Sequence, residues 1–116
     1  MHRLLGLAAF AVFLGTVPAA PAWAELRLAM FQQAGCAYCR QWDREIAEIY
    51  PKTSEGRAAP LMRLDIRAPL PDGITLDRKP QFTPTFVLLD DGHEIGRIEG
   101  YPGEDFFWGL LGGLLP

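Results

Sequence analysis

Cys36 and Cys39 stand two residues apart and are the only cysteines in this chain of 116 residues. What flanks them restricts the fold more than any other stretch. Ahead of them, Leu26-Arg27-Leu28-Ala29-Met30-Phe31 has the length and apolar content of a buried strand. After them, Trp42, Ile46, Ile49 and Tyr50 recur at helical spacing, with Arg40, Asp43, Arg44, Glu45 and Glu48 on other faces. The pair therefore sits where a strand hands over to a helix. The first turn of a helix carries unpaired N–H groups and the positive end of the macrodipole, and both favour a thiolate over a thiol. In C-x-x-C pairs so placed the thiol pKa can fall from about 8.5 to roughly 3.5–7. Cys36 is then the expected nucleophile. Cys39, one helical turn on, can displace whatever Cys36 captures.

Two other uses of the pair remain open on composition. A structural zinc needs four ligands; His2 lies in a segment expected to be removed and His93 stands alone, so no metal is expected. A purely structural disulfide would close a very small loop, where the entropic gain is least.

The first 24 residues read as a secretory signal peptide: a short basic start (Met1-His2-Arg3), an apolar run from Leu4 to Val17, and a small-x-small end at Ala22-Trp23-Ala24. The apolar run is shorter than the roughly 20 residues a spanning helix requires. Cleavage after Ala24 would leave one domain, residues 25–116, outside the cytoplasm, where disulfides persist unless something reduces them. A net charge of -3 with no run of Lys or Arg argues against nucleic acid as a partner.

Along the rest of the chain, Pro51 is expected to stop the helix, and Lys52–Pro60 to form a loop with at most one helical turn. Leu61–Ile66 is a second strand, parallel to the first through a right-handed crossover. Ile74–Lys79 is expected to form one or two helical turns. Phe86–Leu89 reads as a buried strand, Asp91-Gly92 as the turn of a β-hairpin, and His93–Ile98 as its return strand. A terminal helix starts at Glu104-Asp105, with Phe106, Phe107, Leu110, Leu111 and Leu114 as its apolar face and Trp108 off that stripe. The fold class is α/β: a mixed four-stranded sheet made of a β-α-β unit and a C-terminal hairpin, with flanking helices. Thr83-Pro84 leads the most hydrophobic strand, a place where a proline costs no ladder hydrogen bond.

Cys36-Ala37-Tyr38-Cys39 at a helix start, the crossover, Thr83-Pro84-Thr85, the Asp91-Gly92 hairpin, Gly100 and the terminal helix together resemble the thioredoxin superfamily across the whole of residues 25–116. The runs Tyr50-Pro51-Lys52-Thr53, Phe82 to Leu89 and Arg97 to Trp108 are similar to the small periplasmic thioredoxins that accompany bacterial sulfur-oxidation proteins. The resemblance implies a trimmed version of the fold, lacking the usual first strand and helix. It implies catalysis by Cys36 and Cys39, a cis Pro84 opposite Cys36, and a partner polypeptide bound along Thr83, Pro84 and Thr85 beside Ala37 and Tyr38. It implies a monomeric periplasmic thiol–disulfide oxidoreductase with no cofactor beyond the redox-active pair. Its electrons would come from a membrane donor and go to a protein disulfide, that of the sulfur-carrier protein of thiosulfate oxidation. The alternative is a redox-sensing regulatory protein without significant turnover. The family's usual buried Asp six residues before the first cysteine is here Met30, which leaves the proton acceptor for Cys39 unnamed.

Overall fold

Leu28, Ala29, Met30 and Phe31 are all buried because both faces of their strand are covered. In the computed structural model, which describes residues 6–16 and 25–116, this strand is β1 (Leu26–Gln32). It lies between β2 (Leu61–Asp65), to which it is parallel, and β3 (Thr85–Asp90), to which it is antiparallel. β4 (His93–Glu99) closes the order β2-β1-β3-β4. Leu28 and Met30 face a core shared with Phe86, Leu88, Trp42, Phe107 and both cysteines. Ala29 and Phe31 face a smaller cluster with Val87 and Leu89, roofed by Leu64, Ile66, Ile74 and Leu76. The expected signal-peptide cleavage after Ala24 lies outside the described residues.

The hairpin forms as its turn residues dictate. Asp91 and Gly92 have φ of 50° and 81°, the doubly left-handed pair that matches the twist of two antiparallel strands. The register then slips: Leu88 faces Gly96 while Leu89 faces Glu94. Ile95 is the extra residue: Glu94 takes the place opposite Leu89 and shares a face with Arg97, while Ile95 is turned out and exposed.

The helix after the cysteines runs as α1 (Ala37–Trp42) and widens into a π turn, Asp43–Ala47. Two steps of four residues in an α-helix drift by about 80°. The wider turn cancels that drift, so Trp42, Ile46 and Tyr50 all point into the core. Ile49, expected on the buried stripe, is instead exposed. Pro51 does not end the helical path outright. It sits inside a 3-10 turn, Tyr50–Lys52, near its start, where no N–H is needed. The short α2 (Ser54–Ala58) follows, capped by Thr53 Oγ1 accepting from the Gly56 N–H at 3.0 Å.

Residues 74–79, expected as helical turns, form no helix: the chain is extended around Thr75 and bends at 77–78. The Thr75 N–H donates to the Gly92 carbonyl at 2.8 Å and the Glu94 N–H to the Thr75 carbonyl at 3.0 Å, so this segment pairs with the outer edge of β4. Ile74 and Leu76 both turn inward onto the second cluster, a period of two that a helix would break. The segment is anchored by Glu94 and Arg97, whose side chains are only 2% and 6% exposed and meet at 2.6 Å. Glu94 also accepts from the Asp77 N–H at 3.2 Å, and Arg97 donates to the Arg78 carbonyl at 2.6 Å.

The last helix, α3 (Glu104–Leu114), docks on β4 by close approach. A Cβ at Gly96 would lie 2.5 Å from Leu114 Cδ2. The docked face is Phe107, Leu111 and Leu114. Phe106 and Leu110, expected on that face, lie about a quarter turn round and are exposed. Trp108 is half-buried, stacked on Tyr50 with ring centroids 6.0 Å apart, so it packs on the helical layer rather than on the sheet.

Candidate active site

The chain leaves β1 at Gln32 and reaches the helix through Gln33-Ala34-Gly35. Cys36 has extended backbone (φ -81°, ψ 104°) and occupies the N-cap position of α1. Its Sγ accepts from the Cys39 N–H at 3.1 Å. This is the arrangement that stabilises negative charge on a sulfur: an otherwise unpaired helical donor aimed at it, with the macrodipole behind. Cys36 and Cys39 are joined as a disulfide, their Cα atoms 5.2 Å apart. Cys36 is 9% exposed and Cys39 4%, so the first sulfur is the one more open to an incoming group.

Thr85 pairs with Phe31, which brings the preceding Thr83-Pro84 beside Gln32-Gln33 and hence beside the loop that delivers Cys36. Gln33 Nε2 donates to Thr83 Oγ1 at 3.1 Å, tying the two loops together. The Thr83–Pro84 peptide bond is cis. The Pro84 carbonyl accepts from the Gly100 N–H at 2.7 Å.

The five positions expected to meet a partner are not equally open to one. Tyr38 is 61% exposed, as is Phe82 at 60%, and Ala37 is exposed as well. Thr83 is half-buried and Pro84 buried. Thr85 is fully buried, and its hydroxyl donates to the Phe82 carbonyl at 2.6 Å. Its side chain shapes the loop and is not available to a bound chain.

A cleft of about 340 Å³ opens beside the disulfide, lined by both cysteines together with Gln32, Gln33, Arg40, Asp43 and Asp65, among others. Arg63, on β2, reaches across the helix side of it. It donates to Asp43 Oδ1 at 2.8 Å and to Gln32 Oε1 at 2.9 Å, and its guanidinium carbon lies 5.7 Å from the centroid of the Trp42 ring. Arg67 Nε donates to Gln33 Oε1 at 3.2 Å. None of these partners was singled out from sequence. Asp43 carried a signal, since it lies four residues after Cys39 and so on the same helix face. The Gln33–Thr83 contact joins residues 50 apart and had none. No group of three or more metal-ligating side chains is present among the described residues.

The thioredoxin-like domain family matches residues 19–113. The chain belongs to the thioredoxin-like family. Among solved structures, that of the periplasmic thioredoxin SoxS from Paracoccus pantotrophus, in its reduced form, is 62% identical. The alignment covers 78% of this chain and 96% of that one, with a TM-score of 0.78. Thioredoxin from Malassezia sympodialis (Mala s 13) is 16% identical, covering 81% of this chain and 80% of its own, with a TM-score of 0.58. Thioredoxin from Fasciola hepatica is 19% identical, covering 78% and 82%, with a TM-score of 0.54. The last two show the fold alone. No match was found among curated proteins. A thioredoxin-like sheet carrying a C-x-x-C disulfide at a helix start supports thiol–disulfide redox chemistry as the function of this site.

Proposed function

We propose that the chain is a periplasmic dithiol oxidoreductase that reduces disulfides on a partner protein. The observation that carries this reading is the N-capping Cys36 sulfur, hydrogen-bonded by the Cys39 N–H and more exposed than Cys39. In the reduced state the Cys36 thiolate attacks one sulfur of the partner disulfide, and the partner's other sulfur leaves with the electron pair. The mixed disulfide is then attacked by Cys39. The Cys36–Cys39 bond forms, the second partner sulfur leaves as a thiolate, and the partner has gained two electrons. The partner backbone would lie along Thr83 and Pro84, between exposed Tyr38 and Phe82. By its likeness to a periplasmic thioredoxin, the protein is assigned to the periplasm, with a membrane electron donor recharging the pair. The proposed recipient is the sulfur-carrier protein of thiosulfate oxidation.

The test is stoichiometric. The reduced protein, mixed with a protein disulfide, should form one Cys36–Cys39 bond for each partner bond broken. Its reduction potential should lie nearer about -270 mV than about -120 mV. A protein that breaks no partner bond, yet binds a partner differently in its two redox states, would be a redox sensor and not an enzyme.

A further inference from the structure

We propose that Asp43 is the proton acceptor for the Cys39 thiol in the step that resolves the mixed disulfide, an inference that rests on the exchange reading above. Cys39 is almost fully buried, and a thiol attacks only as its thiolate, so something within reach must take its proton. On the strand side the core offers Leu28 and Met30, neither of which titrates. Two phenols share that core, and both are protonated donors. Tyr50 gives its hydrogen to the Ala59 carbonyl at 2.6 Å and Tyr101 to Glu45 at 2.8 Å. Burial pushes both phenols above their ordinary range. Glu45 is committed to Gln41 and Tyr101, whose hydrogen bonds hold its carboxyl below the ordinary range.

That leaves the cleft, whose wall includes Cys39 itself and two carboxylates, Asp43 and Asp65. Asp65 belongs to the end of β2 and accepts from the Arg67 N–H at 2.8 Å. Asp43 belongs to the helix that carries Cys39, and its own N–H donates to the Cys39 carbonyl. Residues four apart on a helix present their side chains to the same side. Arg63 fixes the carboxylate there. One Nη holds Asp43 at 2.8 Å, while the other holds Gln32 and lies 3.9 Å from the Met30 sulfur. The charged groups that pair with Asp43 or line the cleft with it are thus Arg63 and Asp65 on β2 and Arg40 on its own helix; β1 contributes the neutral Gln32 and Gln33 follows it. A cleft of this volume has room for a bridging water, and transfer through one water is within reach of a general base. The proton passes from Cys39 Sγ to the Asp43 carboxylate. The freed electron pair forms the bond to Cys36 Sγ, the partner sulfur departs with the pair of the broken bond, and that thiolate is reprotonated from Asp43 or solvent.

The two steps separate with 5,5'-dithiobis(2-nitrobenzoate). Attack by Cys36 releases one coloured thiolate, and resolution by Cys39 releases the second. In Asp43→Asn the first release should stay within about twofold of the parent. The second should slow at least about tenfold at pH 6.5, and the gap to the parent should narrow as pH rises and hydroxide takes over the proton. Asp43→Glu should restore most of the rate. Arg63→Gln keeps the carboxylate but frees it from the guanidinium that holds it, and should slow the second release less than Asp43→Asn does. Equal second-phase rates in Asp43→Asn and the parent at every pH would overturn the inference. So would slowing by Arg63→Gln as large as by Asp43→Asn, or slowing confined to Asp65→Asn. In those cases the exchange reading stands. A parent protein that releases no second thiolate would instead remove the exchange reading, and this inference with it.

Discussion

Cys36→Ser should abolish reduction of a protein disulfide, by at least about 10³-fold, because it removes the attacking group outright. Cys39→Ser should behave differently. Cys36 still stands at the helix start with a backbone N–H aimed at its sulfur, so attack proceeds, but nothing displaces the captured partner. The variant should accumulate a covalent adduct, visible as a mass shift on a non-reducing gel and lost on adding dithiothreitol. The asymmetry comes from the helix. Both sulfurs are buried, but only Cys36 lies outside the first turn, at the N-cap. If the two variants trapped partner equally, or if Cys36→Ser kept its turnover, the assignment of attacker and resolver would be wrong.

Arg97→Ala should cost about 3 kcal/mol of folding stability at pH 7, because it leaves the Glu94 carboxylate buried without its partner. The pair differs from the exposed pairs elsewhere, such as Arg27–Glu25 at 39% and 64% exposure, which contribute roughly 0–1 kcal/mol each. The pH dependence has a definite sign. Hydrogen bonds from Arg97, chiefly, hold the Glu94 carboxyl below its ordinary value of 4.5. A carboxyl whose folded pKa is depressed contributes stability above its unfolded pKa and loses it as pH falls through the folded one. The gap between parent and variant should therefore be full at pH 7 and shrink progressively below pH 4.5. Urea denaturation at pH 7 and in acid measures both values. A pH-independent difference under about 1 kcal/mol would mean that the pair acts like a surface contact. The same substitution should loosen residues 75–78, which lead through Pro80 to Thr83 and the active-site edge.

Much of this architecture was legible in local pattern, and the parts that were not share a physical reason. β1, β3, the hairpin turn and the cysteine pair each announce themselves within a few residues, through apolar run length, a left-handed Asp-Gly pair and a fixed spacing. The non-helical path of residues 74–79 is decided elsewhere, by the edge of β4 and the roof needed over Phe31 and Val87. The exposure of Ile49 depends on a π turn, and that of Ile95 on a bulge; each adds one residue to a repeat that otherwise looks regular. Phe106 and Leu110 look as apolar as Phe107 and Leu111, and only the contact of Leu114 with Gly96 decides which side docks. At the site, both cysteines and Thr83-Pro84 could be named in advance. The groups that hold them could not: Gln33 on Thr83, and Arg63 between Gln32 and Asp43, join distant parts of the chain. The resemblance that implies docking at Thr83 and Pro84 extends to Thr85, although the Thr85 side chain is spent on the loop itself.

Alkylation of the reduced protein by iodoacetamide, followed by mass spectrometry at Cys36 across a pH series, tests the central claim most directly. A sulfur that caps a helix and receives the Cys39 N–H should react with a midpoint at least about one unit below the free-thiol value of roughly 8.5. A midpoint at or above that value would contradict the account, because Cys36 would then be a buried thiol without the charge that attack requires.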